Sequence, residues 1–317
     1  MPNQMKFDPT RTGMIRKSFE KDMSVRFQKL WKSIFHLVEE LDVFGLKKIV
    51  FMEDVKSSRS WAFLKDAQKV EAFRQWLKDR IQEGVLEVDK YKNRPWLAEY
   101  VESAYKKGII RAFTDVRKRE GLRTEDFLKG SESEFLRSSF GAPESVEKLE
   151  LLYTRAFEQL KDVSESVSSK LSVILADGLA SGSSPREIAR TMIQSIQEIT
   201  KKRALVIART EIIRAHSEGQ LLSFEKLGVE EVGIEAEWLT AGDEKVCDLC
   251  SSLEGTVLSV EEAKGLLPRH PNCRCCWIPA LTEKRESGQF WGAEAEKRIQ
   301  TSIEIEGNSI WAGKNLI

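Results

Sequence analysis

The sequence predicts a mainly α protein: a multi-helix body followed by a small α+β module. Three observations carry this reading. Apolar residues recur at steps of three and four over most of the first 228 residues, the signature of helices with one buried face. After Gly228 the period changes to two. All five cysteines and one of the three histidines then fall between Trp238 and Trp277, which makes the module zinc-binding-like. These changes divide the chain into an N-terminal helical region (1–140), a domain of long helices (141–228), a Cys/His module (229–281) and a C-terminal tail (282–317).

Residues 1–20 read as an extended arm, because Pro9, Thr10, Arg11, Thr12 and Gly13 break helices. From Ser24 to Phe44, the residues Phe27, Leu30, Trp31, Ile34, Leu37, Val38 and Leu41 mark one face of an amphipathic helix that Gly45 ends. His36 within it reads as a surface residue, having no second ligand nearby. A further helix is expected over 61–83, from Trp61, Leu64, Phe73, Leu77 and Ile81. Asn93-Arg94-Pro95-Trp96 reads as the start of the next, with Pro95 in its first turn, running to Val116. Residues 121–143 are rich in Gly, Ser and Pro and read as loop and boundary. Val146, Leu149, Tyr153, Ala156, Leu160, Val163 and Val167 then form a heptad-like seam, to be buried within the domain or against a partner helix. Ser184-Pro185-Arg186-Glu187 is a helix start with Ser as cap, Pro at the first position and Glu reaching back. Lys201–Leu227 reads as another long helix, stopped by Gly228.

In the module, Val232, Ile234, Ala236 and Trp238 alternate with Glu231, Gly233, Glu235 and Glu237, the pattern of a strand with one buried face. Gly255–Ser259 reads as a short strand, Ser259-Val260-Glu261-Glu262 as the start of a short helix, and Cys276–Ala280 as a last strand. Beyond Leu281 a short helix around Ala293–Ile303 and a mobile tail are expected, with Trp291 and Trp311 as isolated apolar points.

The chemistry lies in two clusters, Cys247-x2-Cys250 and His270-x2-Cys273-x-Cys275. A tetrahedral zinc ion takes four such ligands, and two tight turns giving two each supply them with little ordering of the chain. Cys247 and Cys250 make the first turn. His270 with either Cys273 or Cys275 makes the second, stiffened by Pro268 and Pro271. One structural zinc is expected; the competing reading is a cluster of reduced thiols, or disulfides formed in an oxidising medium. A closed set of Cys/His ligands leaves no open position for catalysis. The pattern also lacks His-Glu-x-x-His, the His-x-Glu of zinc deaminases and the βαβ context of a thioredoxin. Trp238 is expected to cover the thiolates, and Asp243 to accept a turn N–H or to pair with Arg274. Arg209 and Glu211 point in different directions on their helix and read as ties to neighbouring helices or to the module, not as a catalytic pair.

Lys and Arg number 50 and Asp and Glu 50, a balance that argues against a dedicated nucleic-acid binder. One locally basic stretch remains, at Lys106, Lys107, Arg111, Arg117, Lys118 and Arg119. No run of 18 apolar residues exists, so no membrane span is expected. The N-terminus lacks the apolar core of a signal peptide, so a reducing cytoplasm is the expected setting.

Arg209-Thr210-Glu211 with Ala215, then Trp238, Asp243, Cys247-x-x-Cys250, Leu253-Glu254-Gly255 and His270-Pro-Asn-Cys-Arg-Cys275, resembles the phage Mu F-like family of phage head morphogenesis, or minor head, proteins. The resemblance covers roughly 185–280; residues 1–140 carry no family motif, and Cys276 departs from the pattern. It implies a non-enzymatic minor capsid protein of a tailed phage or prophage, joining the procapsid near the portal and accompanying DNA packaging or ejection. Its implied partners are the portal protein, the major capsid or scaffolding protein and packaged DNA, with no membrane. Its implied place is the virion, at the head interior or portal vertex, after assembly in host cytoplasm. Some members carry a toxin or enzyme domain after the Cys/His block, and none is expected in the short stretch that follows here. The alternative is a zinc-stapled nucleic-acid-binding protein using Lys106–Arg119 and Lys201–Arg214. A nuclease or ADP-ribosyltransferase reading has only isolated charged residues behind it.

Overall fold

The computed structural model describes residues 8–47, 61, 64–118, 130–228, 233–282 and 286–311. Arg119, Gly121, Glu231 and Val232, together with the first seven residues of the expected arm, lie outside them, as do the side chains of Ile234 and Trp311. In chain order the elements are α1 (Gly13–Phe35), a π-helical turn (His36–Glu40), α2 (Asp66–Gly84), β1 (Val88–Asp89), β2 (Arg94–Pro95) and α3 (Ala98–Arg117). Then come α4 (Glu132–Gly141), α5 (Pro143–Ser181), α6 (Pro185–Ile199), a second π-helical turn (Thr200–Ala204) and α7 (Leu205–Lys226). The remainder is β3 (Ile234–Leu239), α8 (Asp248–Ser251), β4 (Val257–Leu258), α9 (Val260–Ala263), β5 (Cys276–Leu281) and α10 (Ala293–Trp311). The protein is mainly α with a small sheet toward the C-terminus, as its periodicities predict. No helix among the described residues is long and apolar enough to cross a membrane.

The chain forms two compact units. One comprises Glu20–Trp96 and Arg155–Ile207. Its buried side chains include Met23, Phe27, Leu30 and Ile34 of α1, Phe73, Leu77 and Ile81 of α2, Leu160, Val163, Val167, Leu171 and Leu175 of α5, and Ile188, Met192 and Ile196 of α6. From Ala156 to Val167 the heptad-like seam of α5 is thus buried within the chain. His36 is exposed and pairs with Glu40. Pro95 does not open a helix. It pairs with Val88 in a hairpin, where Asp89 accepts the backbone N–H groups of Tyr91 (2.8 Å) and Lys92 (2.9 Å) and Asn93 takes a φ of 48°. A short polar side chain that hydrogen-bonds ahead of itself builds such a turn without a helix. Trp96 then donates to the Val85 carbonyl at 3.0 Å, under the Arg26 guanidinium.

The start of α6 is as the sequence predicts. Ser184 Oγ accepts the Glu187 N–H at 3.3 Å and the Glu187 carboxylate accepts the Ser184 N–H at 2.8 Å. Ser184→Ala removes one half of this reciprocal cap, so it is expected to cost about 1 kcal/mol, read as a lower urea midpoint with unchanged m-value. The expected break between α6 and the next helix is instead a π-helical turn, over which the chain stays helical from Pro185 to Lys226.

The other unit comprises Met1–Phe19, Leu97–Thr154 and Ala208–Ile317. The arm is shorter than expected. Helix α1 begins at Gly13 because residues 8–12 form their own turn: Asp8 Oδ1 accepts Thr10 Oγ1 at 2.6 Å and Asp8 Oδ2 accepts Arg16 at 2.7 Å. Arg111 of α3 holds this turn through the Pro9 carbonyl (3.2 Å). The expected loop over 121–143 is helical in its second half: Ser131 caps α4, with Glu134 reaching back at 2.8 Å. Val146 points to solvent and Leu152 takes its place in the buried face of α5.

Helices α3 and α7 cross closely in this unit, since a Cβ built on Gly108 would overlap the His216 carbonyl and one on Gly219 the Tyr105 carbonyl. Ala112, Phe113 and Val116 of α3, Leu221 and Phe224 of α7 and Leu227 just after it then share one core with Ala236, Trp238, Leu258, Trp277 and Ala295. The sheet order is β4-β3-β5, all antiparallel, with Trp238 facing Trp277 in register. The helix expected around Ala293–Ile303 is present and runs on to Trp311 as α10; the segment is packed, since Phe290 exchanges backbone hydrogen bonds with Gly255 and Val257 (2.8 and 2.9 Å) and Ala295 of α10 is in the core.

His216 sits at the helix crossing, fully buried, and burial pushes its pKa down to about 3, helped by the positive charges of Arg111, Lys107 and Arg16 and opposed by Asp8. The native state therefore keeps this imidazole neutral, while the unfolded chain takes up a proton below its ordinary pKa of about 6.5. Stability from this group is full above pH 6.5 and is lost as pH falls from there toward 3, by about 1.4 kcal/mol per unit. The difference in urea midpoint between pH 7.5 and pH 5 is expected to shrink in His216→Gln by about 2 kcal/mol equivalent.

Candidate metal centre

Each knuckle is set by local backbone chemistry. Cys247 caps the single-turn helix α8, with its carbonyl accepting the Ser251 N–H at 2.9 Å. This turns Cys247 and Cys250 toward one point. In the second knuckle the Cys273 N–H returns to the His270 carbonyl at 3.1 Å, with Asn272 at a φ of 62°. His270 Nδ1 donates to the Pro271 carbonyl at 2.7 Å. That bond leaves Nε2 as the ligating nitrogen, and Nε2 lies 3.2 Å from Cys247 Sγ and 3.1 Å from Cys250 Sγ. Cys250 Sγ lies 3.8 Å from Cys273 Sγ.

The five sequence-predicted donors gather as two clusters that share Cys250: Cys247, Cys250 and His270, and Cys250, Cys273 and Cys275. Either can hold a metal ion, and no cysteine is in a disulfide. A cavity of about 20 Å³ opens beside them, lined by Cys247, Cys250, His270, Asn272, Arg274 and Cys275 among others. Hydrogen bonds from Cys250 and then His270 hold the Cys247 thiol down to about 4, against burial. Burial opposes charge on His270, yet Cys247 and Cys273 hold its pKa up to about 9. Cys276 stands apart: it is buried in neither cluster, and burial pushes its thiol up to about 12.

The surrounding shell is partly as predicted. Trp238 and Trp277 meet edge to face at 5.3 Å and share the core with Cys250, Cys273 and Cys275. Asp243 makes a two-pronged pair with Arg274 (2.7 and 2.5 Å) and also accepts the Lys245 N–H of the turn before Cys247 at 3.0 Å, and the Arg274 pair above all holds its carboxyl down to about 2. Ties from α7 also run through residues to which the sequence assigns no such role. Thr210 Oγ1 accepts the Asn272 N–H at 3.1 Å, Trp277 Nε1 donates to Ser217 at 3.0 Å, and Gln220 donates to the Trp277 carbonyl at 2.7 Å. Glu211 is buried on the same helix with Arg214 beside it at 3.5 Å.

Three of the five described cations of the basic stretch are paired with carboxylates of α3 or α4. Lys106 pairs with Glu102, Arg111 with Asp115 and Arg117 with Glu132, while Lys202 pairs with Glu198. A paired cation has little counterion to release on binding phosphate, so this pattern fits a solvated helix face.

Residues 169–278 match the family model for phage Mu protein F like protein. This stretch is similar to phage Mu protein F like proteins. The resemblance carried by the Arg-Thr-Glu block and the Cys/His pattern therefore holds, and the matched span starts earlier, within α5. The family is one of phage head morphogenesis proteins. Comparison with curated proteins and with solved structures returns no match. The matched stretch includes α6, α7 and both knuckles, whereas α3 and α10, which share its core, lie outside the matched residues.

Proposed function

We propose that this protein is a minor head protein of a tailed phage or prophage, with a structural role in procapsid assembly near the portal vertex. The observation that carries the reading is the family match across α7 and both knuckles. Portal, major capsid or scaffolding protein are its partners on this reading, packaged DNA is a further contact, and the virion is its destination. The protein acts through surfaces, and its metal is a staple. Zinc is the ion that the donor set fits: thiolates and one imidazole with its second nitrogen fixed, in a tetrahedron closed to substrate. Cys247, Cys250 and His270 supply three ligands. Cys273 supplies the fourth, because its 3.8 Å separation from Cys250 equals the edge of a tetrahedron built on zinc–sulfur bonds, about 3.8 Å. Cys275 is the neighbouring thiol. On this assignment Cys273→Ser loses the ion and Cys275→Ser keeps it.

The test of the assembly role is co-expression with the portal and coat proteins encoded beside its gene, followed by sedimentation of the particles. A few copies per particle, retained only when portal is present, is the expected result. Exclusion from every particle would overturn the reading.

A further inference from the structure

The C-terminal helix is seated on both knuckles at once. From α10, Arg298 donates to the Ser252 carbonyl at 2.6 Å and faces the Glu254 carbonyl at 3.3 Å. These are the carbonyls of the turn that leaves Cys250. The same guanidinium lies flat on the Phe290 ring, 3.3 Å from its centre, and Phe290 is itself hydrogen-bonded to Gly255. On the other knuckle, Arg269, the residue before His270, pairs with Glu306 at 2.7 Å and donates to Ser302 at 3.1 Å. Ala295, Arg298, Ser302 and Glu306 follow at steps of three and four, so one stripe of α10 makes all these contacts. The helix does not line the cavity that opens beside the thiols.

We infer that α10 is a latch whose closed position is linked to the metal. The inference rests on the zinc reading above. Its seat is complete only while the turn after Cys250 and the residue before His270 stand at a fixed distance. An ion bound by Cys250 and His270 fixes that distance. Linkage is reciprocal: if the ion favours the seated helix, the seated helix favours the ion by the same factor. Because α10 stands away from the cavity, it acts by holding the ligands in place and leaves the ion's path open.

The test uses the full chain. Zinc content is measured first, then zinc affinity by competition with a chromophoric chelator, for the parent protein, Arg298→Ala and Glu306→Gln. Lys297→Ala, on the exposed side of α10, is the control. The expected result is roughly tenfold weaker zinc binding in Arg298→Ala, within the 5- to 150-fold range of such couplings, a smaller loss in Glu306→Gln and none in the control. Hydrogen exchange of zinc-loaded Arg298→Ala should show 293–306 losing protection while 98–117 keeps it, which separates an open latch from an unfolded protein. Unchanged affinity in both variants would overturn the latch and leave the zinc staple standing. A parent protein that binds no zinc overturns both.

Discussion

Cys250→Ser is expected to empty the metal centre and to loosen the module built on it. Among the described residues Cys250 is the donor common to both clusters, and its side chain is part of the core that holds Trp238 and Trp277. A serine hydroxyl is a poor ligand for zinc and, in that core, a polar group without a good partner, so both losses have the same sign. Structural zinc binds small peptides with about 10–16 kcal/mol, and that energy is folding energy where the site does not exist in the unfolded chain. Here the module also leans on α3 and α7, so only part of it is at stake. Even a third, about 4 kcal/mol, is comparable with the stability of many whole domains. Zinc per chain should fall from one to near zero, and the thermal midpoint by about 10 °C. A chelator should reproduce the shift in the parent protein. Cys276→Ser, at a thiol outside both clusters, should keep the metal. A Cys250→Ser protein that retains zinc and melts with the parent would show that Cys250 is not a ligand of the ion.

The knuckles were legible because ligand chemistry imposes its own spacing. Two donors on one turn must be about three residues apart whatever the fold, so Cys247, Cys250, His270 and Cys273 announce themselves. The residues that orient them had no such signal. Thr210, Ser217 and Gln220 are single polar residues on a long helix, and what each one meets depends on where the helix crosses the second knuckle and the strand that follows it. The resemblance points at Arg209-Thr210-Glu211, and in that block the uncharged Thr210 accepts the Asn272 N–H of the second knuckle. Helix α4 was hidden by Gly and Ser composition, although Ser131-x-x-Glu134 is the same capping signal that located α6 correctly. Pro95 suits a helix start and a strand edge equally; Asp89 and Asn93, which shape the hairpin turn, are the residues that decide between them. Helix α10 lies where the sequence predicts a short helix, around Ala293–Ile303, but its packing is hidden, because its buried stripe contains Arg298 and Ser302 in place of apolar residues and hydrophobic period alone underestimates it.

Gly108→Ala and Gly219→Ala should each destabilise the protein by about 3 kcal/mol or more, against the usual direction of such changes. Glycine within a helix normally costs about 1 kcal/mol relative to alanine, so a Gly→Ala change with room for the methyl is stabilising or neutral. Gly84 of α2, with nothing within 4 Å of an added Cβ, supplies that comparison. At the α3–α7 crossing the added methyl meets backbone: the His216 carbonyl from Gly108 and the Tyr105 carbonyl from Gly219. No rotamer change relieves a Cβ against a carbonyl, so the helices must separate. Separation opens the contact of Phe113 and Val116 with Phe224, Leu227 and Trp277, which adds cavity cost to overlap. Because either methyl alone forces the same separation, the double variant should cost much less than the sum of the singles. Equilibrium urea unfolding of the four proteins measures this directly; additive losses would mean that the two glycines act at independent contacts. The pairing also bears on the matched stretch. Gly219 lies inside the matched residues and Gly108 outside them, so an excised 169–278 fragment would expose the face of α7 that α3 covers, with Leu221 and Phe224 in solvent. That fragment is expected to aggregate or remain unfolded with zinc present, and to gain native helix signal when residues 97–154 are supplied on the same chain.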